Sequence, residues 1–299
     1  MLDSLLTVLL LGATMSAIYA LIALGFTMVF GVGGVLNLAH GGLIMVGAYT
    51  YLVVSRSGAL DWLPGAGPEV ASLLVAALVA ALVSYVLYVG LVRYIEENVV
   101  ITFLATVIVA LLLTEVALYQ FGSQPNTLRA IWGGATNLES VGTRVLHMHV
   151  LGFVVSWVII GGLWYYVKRT DEGRSILAAS MSERGAQLTG VSLQKVKSRT
   201  WLIAGAFAGI AGVFLGATTQ PASPNMWLNP LALAFIIVVI GGIGSIKGSV
   251  VAAYLIGYLE AFTIEVIGAS YQGILSLVVL VAVLLVLPEG LYGREFVHE

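Results

Sequence analysis

The sequence predicts an all-α polytopic membrane protein with eight to nine transmembrane helices, built as inverted four-span repeats with broken segments. Composition is the first reason, since the chain is 60% hydrophobic and only 9% charged, whereas globular domains carry roughly a quarter charged residues. The other two reasons are a series of long apolar runs and the confinement of most charges to the connections between them. A soluble domain with so few charges could not cover its surface, so that class is excluded.

Nine apolar runs follow one another, and each approaches the roughly 20 residues that a helix needs to cross the hydrocarbon core of a bilayer. They lie near residues 5–30, 35–55, 70–92, 99–121, 150–167, 200–220, 230–246, 249–268 and 272–288. The separations around 31–42 and around 247 are weak, so eight spans with one re-entrant segment is the alternative. In both arrangements residues 1–299 are predicted to form a single transmembrane domain.

The positions of Lys and Arg predict the orientation of the chain in a multi-pass arrangement. Segment 168–199 carries seven of the 13 Lys and Arg residues, and cations are enriched in cytoplasmic connections. With this segment inside and nine spans, the inner connections hold ten cations and the outer ones three. The inner set is Arg93, the seven of the segment, Lys247 and Arg294, and the outer set is Arg56, Arg129 and Arg144. The count predicts an external N-terminus and a cytoplasmic C-terminus.

The two longest connections, 168–199 and 122–149, are predicted to be folded. In the first, Thr170 and Ser182 are helix-capping residues, and Gly190 stands where a glycine ends a short helix. We therefore expect two short helices there, the alternative being a solvated basic loop that only sets topology. The second connection is either a folded external loop with a docking surface or a plain connector.

Two glycine- or proline-rich breaks suggest an internal duplication. The first break spans 31–42 and the second spans 220–230. In the predicted topology they face opposite sides, four spans precede the fifth, and four follow it. This arrangement is typical of inverted repeats with discontinuous segments beside a central pathway. Glycines four apart at 205, 209, 212 and 216 predict a close approach of helix backbones.

The residues that could carry chemistry are few. Glu260 is the deepest carboxylate in an apolar run, where it would line a pathway or make an interhelical hydrogen bond. His40 has no other His, Asp or Glu at ligand spacing, which argues against a metal site. The stretch 241–249 departs from the phosphate-loop pattern, because Ile246 precedes Lys247 and Gly248 follows it. We therefore expect a tight turn there, and no nucleotide, metal or other cofactor bound by this chain.

Several stretches together resemble LivH-type permeases, the inner-membrane subunits of branched-chain amino acid ABC importers. They are MSAIYALIALGFTMVFG at 15–31, NLAHG at 37–41, MVGAY at 45–49, AQLTGV at 186–191, IGGIGSIKG at 240–248 and LPEGLYG at 287–293. The resemblance extends over nearly the whole chain. It implies a multi-pass permease domain in the cytoplasmic (inner) membrane, with 168–199 as its cytoplasmic ATPase-coupling loop and 122–149 as its external loop.

The resemblance also implies partners and site residues. The partners are a homologous permease subunit of the LivM type, two ATPase subunits that use ATP, an external solute-binding protein and membrane lipid, without nucleic acid. The predicted ATPase-coupling residues are Glu183, Arg184, Ala186, Leu188 and Gly190. The predicted pathway residues are Asn37, His40, Gly41, Glu260 and Asn225. No residue is assigned a catalytic role.

The function implied is translocation of branched-chain or similar amino acids by a transport subunit that is not itself an enzyme. The same role for urea, short amides or aromatic acids is an alternative, since relatives of this permease type serve those solutes. An ion-coupled secondary transporter is a rival from another class, in which Glu260 would be the ion or proton residue. A membrane enzyme is the third alternative, and the chain shows no catalytic set for it.

Overall fold

The computed structural model describes residues 2–138 and 143–293, which are mostly helical. The helices are α1 (Leu2–Gly33), α2 (Ala39–Arg56), α3 (Gly67–Gly90), α4 (Val99–Phe121), α5 (His147–Arg169), α6 (Asp171–Met181), α7 (Glu183–Leu188), α8 (Leu193–Thr218), α9 (Leu228–Gly241), α10 (Ile246–Phe262) and α11 (Ile274–Val286). Strands β1 (Ala135–Leu138) and β2 (Thr143–Leu146) form an antiparallel hairpin. The predicted all-α polytopic membrane fold is confirmed.

Each of the nine predicted apolar runs forms a helix, but the helices differ in length. Within the described residues seven helical segments are long and apolar enough to cross a membrane, and α2 and α9 are not among them. The 14 residues of α9 would reach about 21 Å at 1.5 Å per residue, less than the roughly 30 Å of a hydrocarbon core. Both α2 and α9 begin inside a predicted break, at Ala39 and Leu228, so part of each predicted apolar run is not helical.

Burial separates a central group of helices from a peripheral one. In the most apolar part of each helix, 67% of residues are buried in α1 and 72% in α8, against 22% in α4 and 11% in α11. Helix α2 is buried along most of its length, from Ala39 to Ser55. The centre of the bundle therefore consists of α1, α2 and α8, while α4 and α11 lie at its lipid-facing edge.

The packing of the first four spans is repeated by the last four. Helix α3 packs along α8, and α10 packs along α1 in the same manner. Helix α2 contacts α8, α3 and α4, and α9 contacts α1, α10 and α11. The pair at the centre is antiparallel, because Gly25 faces Ala204 while Gly33 faces Lys197. The helices α1, α2, α3 and α4 therefore correspond to α8, α9, α10 and α11 in their contacts, and α1 and α8 run in opposite directions. This is the arrangement expected for inverted repeats.

The glycines of α8 allow close backbone contact with two neighbouring helices. A methyl group added at Gly212 would collide with the carbonyl oxygen of Ile44 in α2. One added at Gly205 would lie 2.6 Å from the carbonyl oxygen of Ala80 in α3. Because no larger side chain fits these positions, the predicted close approach of helices is confirmed.

The connection 122–149 is folded against the rest of the protein where the structure describes it. The Tyr51 hydroxyl donates a hydrogen bond of 2.8 Å to the carbonyl of Arg129, and Asn126 and Ala222 exchange two backbone hydrogen bonds of 2.8 Å. The hairpin of β1 and β2 follows. Residues 139–142 of this connection, and Arg294 from the cation count, lie outside the described residues. A docking role for this connection stays a prediction.

The stretch 241–249 forms the predicted tight turn and not a phosphate loop. The Ser245 hydroxyl accepts a hydrogen bond of 3.0 Å from the backbone N–H of Gly248 and so caps α10. The chain then returns after α11, where the N–H groups of Leu291 and Tyr292 donate to the carbonyls of Ile240 and Gly241 at 2.7 and 3.1 Å. The two glycine-rich stretches of the resemblance are therefore in direct contact, and the late segment fastens the turn.

Candidate functional site

The first break leaves α1 at Gly33 and re-enters the bundle before α2. Gly34 has a φ of +62°, a value at which the chain reverses and which favours glycine. Residues 34–37 are not helical, and the N–H of Leu38 donates a 3.2 Å hydrogen bond to the hydroxyl of Thr106 in α4. A side chain of α4 thus replaces one backbone partner that a continuous helix would have supplied.

Buried polar atoms without partners collect at this break. His40 is fully buried, and its Nε2 lies 3.1 Å from the carbonyl oxygen of Ile22. Its Nδ1 and both amide atoms of the Asn37 side chain have no hydrogen-bond partner among the described residues. The room for the imidazole comes from Gly25, where a methyl group would lie 2.7 Å from His40 Cε1. Since buried polar groups are normally hydrogen-bonded, three unpaired polar atoms on two neighbouring residues distinguish this break from the regular helices.

The second break meets the first inside the bundle. Trp227 is 7% exposed, and its indole N–H donates a 2.8 Å hydrogen bond to the hydroxyl of Thr114 in α4. A methyl group added at Gly41 would lie 2.6 Å from this indole ring and 3.2 Å from Leu231 of α9. The starts of α2 and α9 therefore touch through Gly41 and Trp227, with no larger residue possible at Gly41.

The five predicted pathway residues do not all lie together. Asn37, His40 and Gly41 share the first break, whereas Asn225 is exposed in the connection between α8 and α9. Glu260 is fully buried and accepts hydrogen bonds of 3.1 Å from the N–H of Gly273 and a further one from the hydroxyl of Ser276. The interhelical hydrogen bond considered from the sequence is thus observed for Glu260. A role in translocation stays a prediction for all five residues.

Segment 168–199 contains the two short helices that the sequence predicts. The hydroxyls of Thr170 and Ser182 accept 3.0 Å hydrogen bonds from the N–H groups of Gly173 and Gly185, and so cap α6 and α7. Gly190 has a φ of +85° just after α7. The two predicted short helices are therefore present, and the choice between an ATPase-coupling segment and one that only sets topology stays a prediction.

The predicted coupling residues divide into those that face the helix bundle and those that are exposed. Ala186 is buried and anchors α7 on the bundle, and Glu183 faces Lys197. Arg184 is exposed, and Leu188 is 83% exposed. The side chain of Leu188 is therefore accessible from outside the chain. The ATPase-coupling role itself stays a prediction.

A buried ammonium group joins α7 to the spans. Lys197 Nζ lies 3.0 Å from Glu183 Oε1 and 3.2 Å from Glu96 Oε1, with the Lys197 side chain only 8% exposed. The aliphatic part of Lys197 lies beside Gly33, at the end of α1. These groups line a cavity of about 410 Å³ that also includes Arg93 and Gln187. One side chain therefore contacts α7, the connection before α4 and the first break.

Trp227, Thr114 and Lys197 are the functional candidates that sequence reasoning missed. A tryptophan inside a proline- and asparagine-rich break was a usable signal for Trp227, but its partner Thr114 is 113 positions away. Lys197 carried the signal of a cation just before a span. The described residues contain no group of three or more His, Cys, Asp or Glu side chains that could hold a metal ion.

A family model described as "Branched-chain amino acid transport system / permease component" matches residues 8–284 of the chain. The chain is 27% identical over 297 residues to the high-affinity branched-chain amino acid transport system permease protein LivH of Escherichia coli (strain K12), covering 96% of this chain and 95% of that protein. It is 28% identical over 301 residues to BraD, the permease protein of the same description from Pseudomonas aeruginosa, covering 96% and 95%. It is also 28% identical over 272 residues to the permease protein LivM of Salmonella typhimurium, covering 82% and 61%. No solved structure matches the chain significantly.

Proposed function

Because the chain belongs to the family of branched-chain amino acid transport system permease components, we propose that it is the membrane-spanning permease subunit of an ABC importer for branched-chain or similar amino acids. The resemblance to LivH-type permeases inferred from the sequence is confirmed. The observation that carries the proposal is the contact of Lys197 with both the exposed coupling helix and the first break. The substrate class is taken from the names of the relatives.

The importer works with partners, which are part of the proposal. The similarity to both LivH and LivM supports pairing with a second, related permease subunit. Two ATPase subunits hydrolyse ATP, so this chain binds no cofactor, and an external solute-binding protein delivers the solute. The chain lies in the cytoplasmic membrane with its N-terminus outside and segment 168–199 inside.

Force enters the permease through α7. An ATPase subunit binds Leu188 and Arg184 on the outer side of α7, while Ala186 holds the helix on the bundle. Displacement of α7 moves Glu183 and therefore Lys197, which lies in the second turn of α8 beside Gly33. Since α8 packs on α2 and α3 through glycines, it moves with them as a unit, and the first break opens or closes.

The meeting point of the two breaks is suited to a small zwitterion. An amino acid presents both donors and acceptors. The Asn37 amide offers one of each, and His40 Nδ1, three residues along the chain, is a third polar atom without a partner among the described residues. Phe26 and Trp227 supply apolar surface for an aliphatic side chain. The site carries no full charge, so it binds weakly, as a pathway requires when affinity resides in an external protein.

The same role for urea or short amides is the second candidate. The Asn37 amide group favours it, because amides pair with each other through one N–H donor and one carbonyl acceptor. Uptake of labelled leucine and of labelled urea by the same proteoliposomes separates the two substrates.

Substitution of Leu188 tests the proposal. In proteoliposomes that contain the complete importer, we expect Leu188→Asp to lower solute-stimulated ATP hydrolysis and uptake at least about tenfold, since a charge replaces the apolar contact. The thermal stability of this chain should not change, because Leu188 is exposed. Leu188→Met keeps the apolar contact and should retain both activities. Full activity of Leu188→Asp, or solute accumulation by this chain without ATPase subunits, would refute the coupling role.

A further inference from the structure

A second cavity, of about 260 Å³, opens between α1, α5, α6 and α10, away from the meeting point of the breaks. Its walls are apolar and include Met28, Val32, Val167, Ile176 and Ile246. It lies where α1 and α5 end and α10 begins, which places it at one face of the membrane. A soluble solute gains little from such walls, whereas a hydrocarbon chain is well matched to them.

The charged groups of this cavity are all of one sign. Lys168 and Lys247 line it, and no Asp or Glu does. Both lysines are exposed, and neither forms an ion pair with any described residue. Lys168 instead places its ammonium 4.4 Å from the centre of the Trp164 ring. The neighbouring cavity differs, because there Lys197 is neutralised by Glu96 and Glu183.

The cavity is continuous with the surface that faces lipid. Trp164 is 50% exposed on α5, and tryptophan and lysine are residue types that anchor helices at the membrane interface. The first turn of α10 also borders the cavity through Ser245 and Ile246, and a helix N-terminus favours a negative charge. A ligand with an acyl chain and an anionic head group would satisfy the walls and the lysines together.

We propose that this cavity binds an anionic phospholipid, with its phosphate between Lys168 and Lys247 and the upper part of one acyl chain against Met28, Val32 and Ile176. Basic cavities between membrane helices on the cytoplasmic side are suited to such head groups. Because Ile176 belongs to α6, the lipid would hold the coupling segment against α1 and α10. The proposal rests on the membrane fold and not on the transported solute, so its failure leaves the proposed function untouched.

Native mass spectrometry of the purified full-length chain, with added phosphatidylglycerol or phosphatidylcholine, tests the site. The wild type should bind phosphatidylglycerol in preference. In Lys168→Gln/Lys247→Gln the affinity for phosphatidylglycerol should fall roughly tenfold, since each basic residue near an anionic head group contributes to binding, and phosphatidylcholine binding should not change. The control Lys195→Gln/Arg184→Gln removes the same charge from exposed positions that do not line the cavity.

A third variant tests the apolar part of the site without altering charge. Ser180 lines the cavity, and Ser180→Trp would fill it, so phosphatidylglycerol binding should also fall. Equal losses in the two glutamine doubles would reduce the effect to general surface charge and overturn the proposal. Unchanged binding in either Lys168→Gln/Lys247→Gln or Ser180→Trp would do the same. Displacement of the lipid by millimolar inorganic phosphate would identify a site for soluble anions instead.

Discussion

Asn37 is the residue whose environment is hardest to explain by stability alone. Its side chain is 99% covered, since the residue is only 1% exposed, yet neither amide atom has a partner among the described residues. A buried polar group left without a hydrogen bond costs about 1–3 kcal/mol. A fold that keeps such a group at the first break gains something other than stability from it.

Replacing Asn37 should therefore separate stability from transport. We expect Asn37→Leu to keep or raise the melting temperature of the purified chain, because the unpaired amide is removed and the number of side-chain heavy atoms is conserved. Uptake by the complete importer should fall at least about tenfold, since the donor and acceptor for the solute are lost. Differential scanning fluorimetry and a labelled-solute uptake assay measure the two quantities.

Ser156 provides the matched control for this experiment. Its hydroxyl is also buried and also lacks a partner among the described residues, but it lies in the middle of α5 and away from both breaks. Ser156→Ala should raise stability without an effect on uptake. If Asn37→Leu behaved like Ser156→Ala in both assays, Asn37 would have no role in translocation.

At the residue scale, local signals were predictable and distant partners were not. The capping roles of Thr170 and Ser182 followed from residue type and position, because a cap is bonded within three residues. The place of Asn37 and His40 at a break followed from the glycines around them. The partners of Lys197 did not, since Glu96 is 101 positions away and no sequence period relates the two.

At the scale of the helix, the contact between α2 and α8 governs the centre of the bundle. Gly212→Ala should destabilise the chain by about 1–3 kcal/mol or more, because the added methyl collides with the backbone of Ile44, which cannot move without moving α2. Chemical denaturation in detergent, followed by circular dichroism, measures this change.

Gly161 in α5 is the control for helix propensity. A methyl group there would have no heavy atom within 4 Å, so Gly161→Ala should be neutral or should stabilise the chain by up to about 1 kcal/mol. Equal effects of the two alanines would show that α2 and α8 separate without cost, and the close-packed centre would then be wrong.

The spacing of glycines predicted that helices approach closely but not which helices do. The four glycines of α8 contact α3 at Gly205 and Gly209, α2 at Gly212, and the connection after α4 through Leu128 at Gly216. The spacing of glycines along the sequence identifies which face of α8 is small, whereas the helix that packs on this face depends on the topology of the bundle. For the same reason hydropathy located α9 correctly but could not reveal that it is too short to cross the membrane alone.

For the whole molecule, the predicted orientation is open to a direct test, because the chain contains no cysteine. Single cysteines can replace Trp62, which is 77% exposed between α2 and α3, and Leu188, which is 83% exposed after α6. A membrane-impermeant maleimide added to intact cells should label Trp62→Cys and spare Leu188→Cys. After permeabilisation both should react. The reverse pattern would place segment 168–199 outside and remove it from any ATPase.

The organisation of the whole chain was predictable from composition and breaks, since membrane insertion constrains the backbone so strongly. Two halves of four spans around α5 were expected, and the packing of α3 on α8 and of α10 on α1 agrees. The residues of the two breaks have no recognisable similarity to each other, so their contact through Gly41 and Trp227 could not be foreseen. What the two breaks share is an interrupted helix, and each forms it with different side chains.

The fastening of the 241–245 turn by Leu291 and Tyr292 has a consequence for biosynthesis. The turn emerges from the ribosome about fifty codons before the residues that complete it, so this corner is finished after the neighbouring spans are already inserted. A nascent chain that stops short of position 291 would leave two backbone carbonyls unpaired there. Proteases that survey membrane insertion would then have a means of distinguishing interrupted products from complete ones.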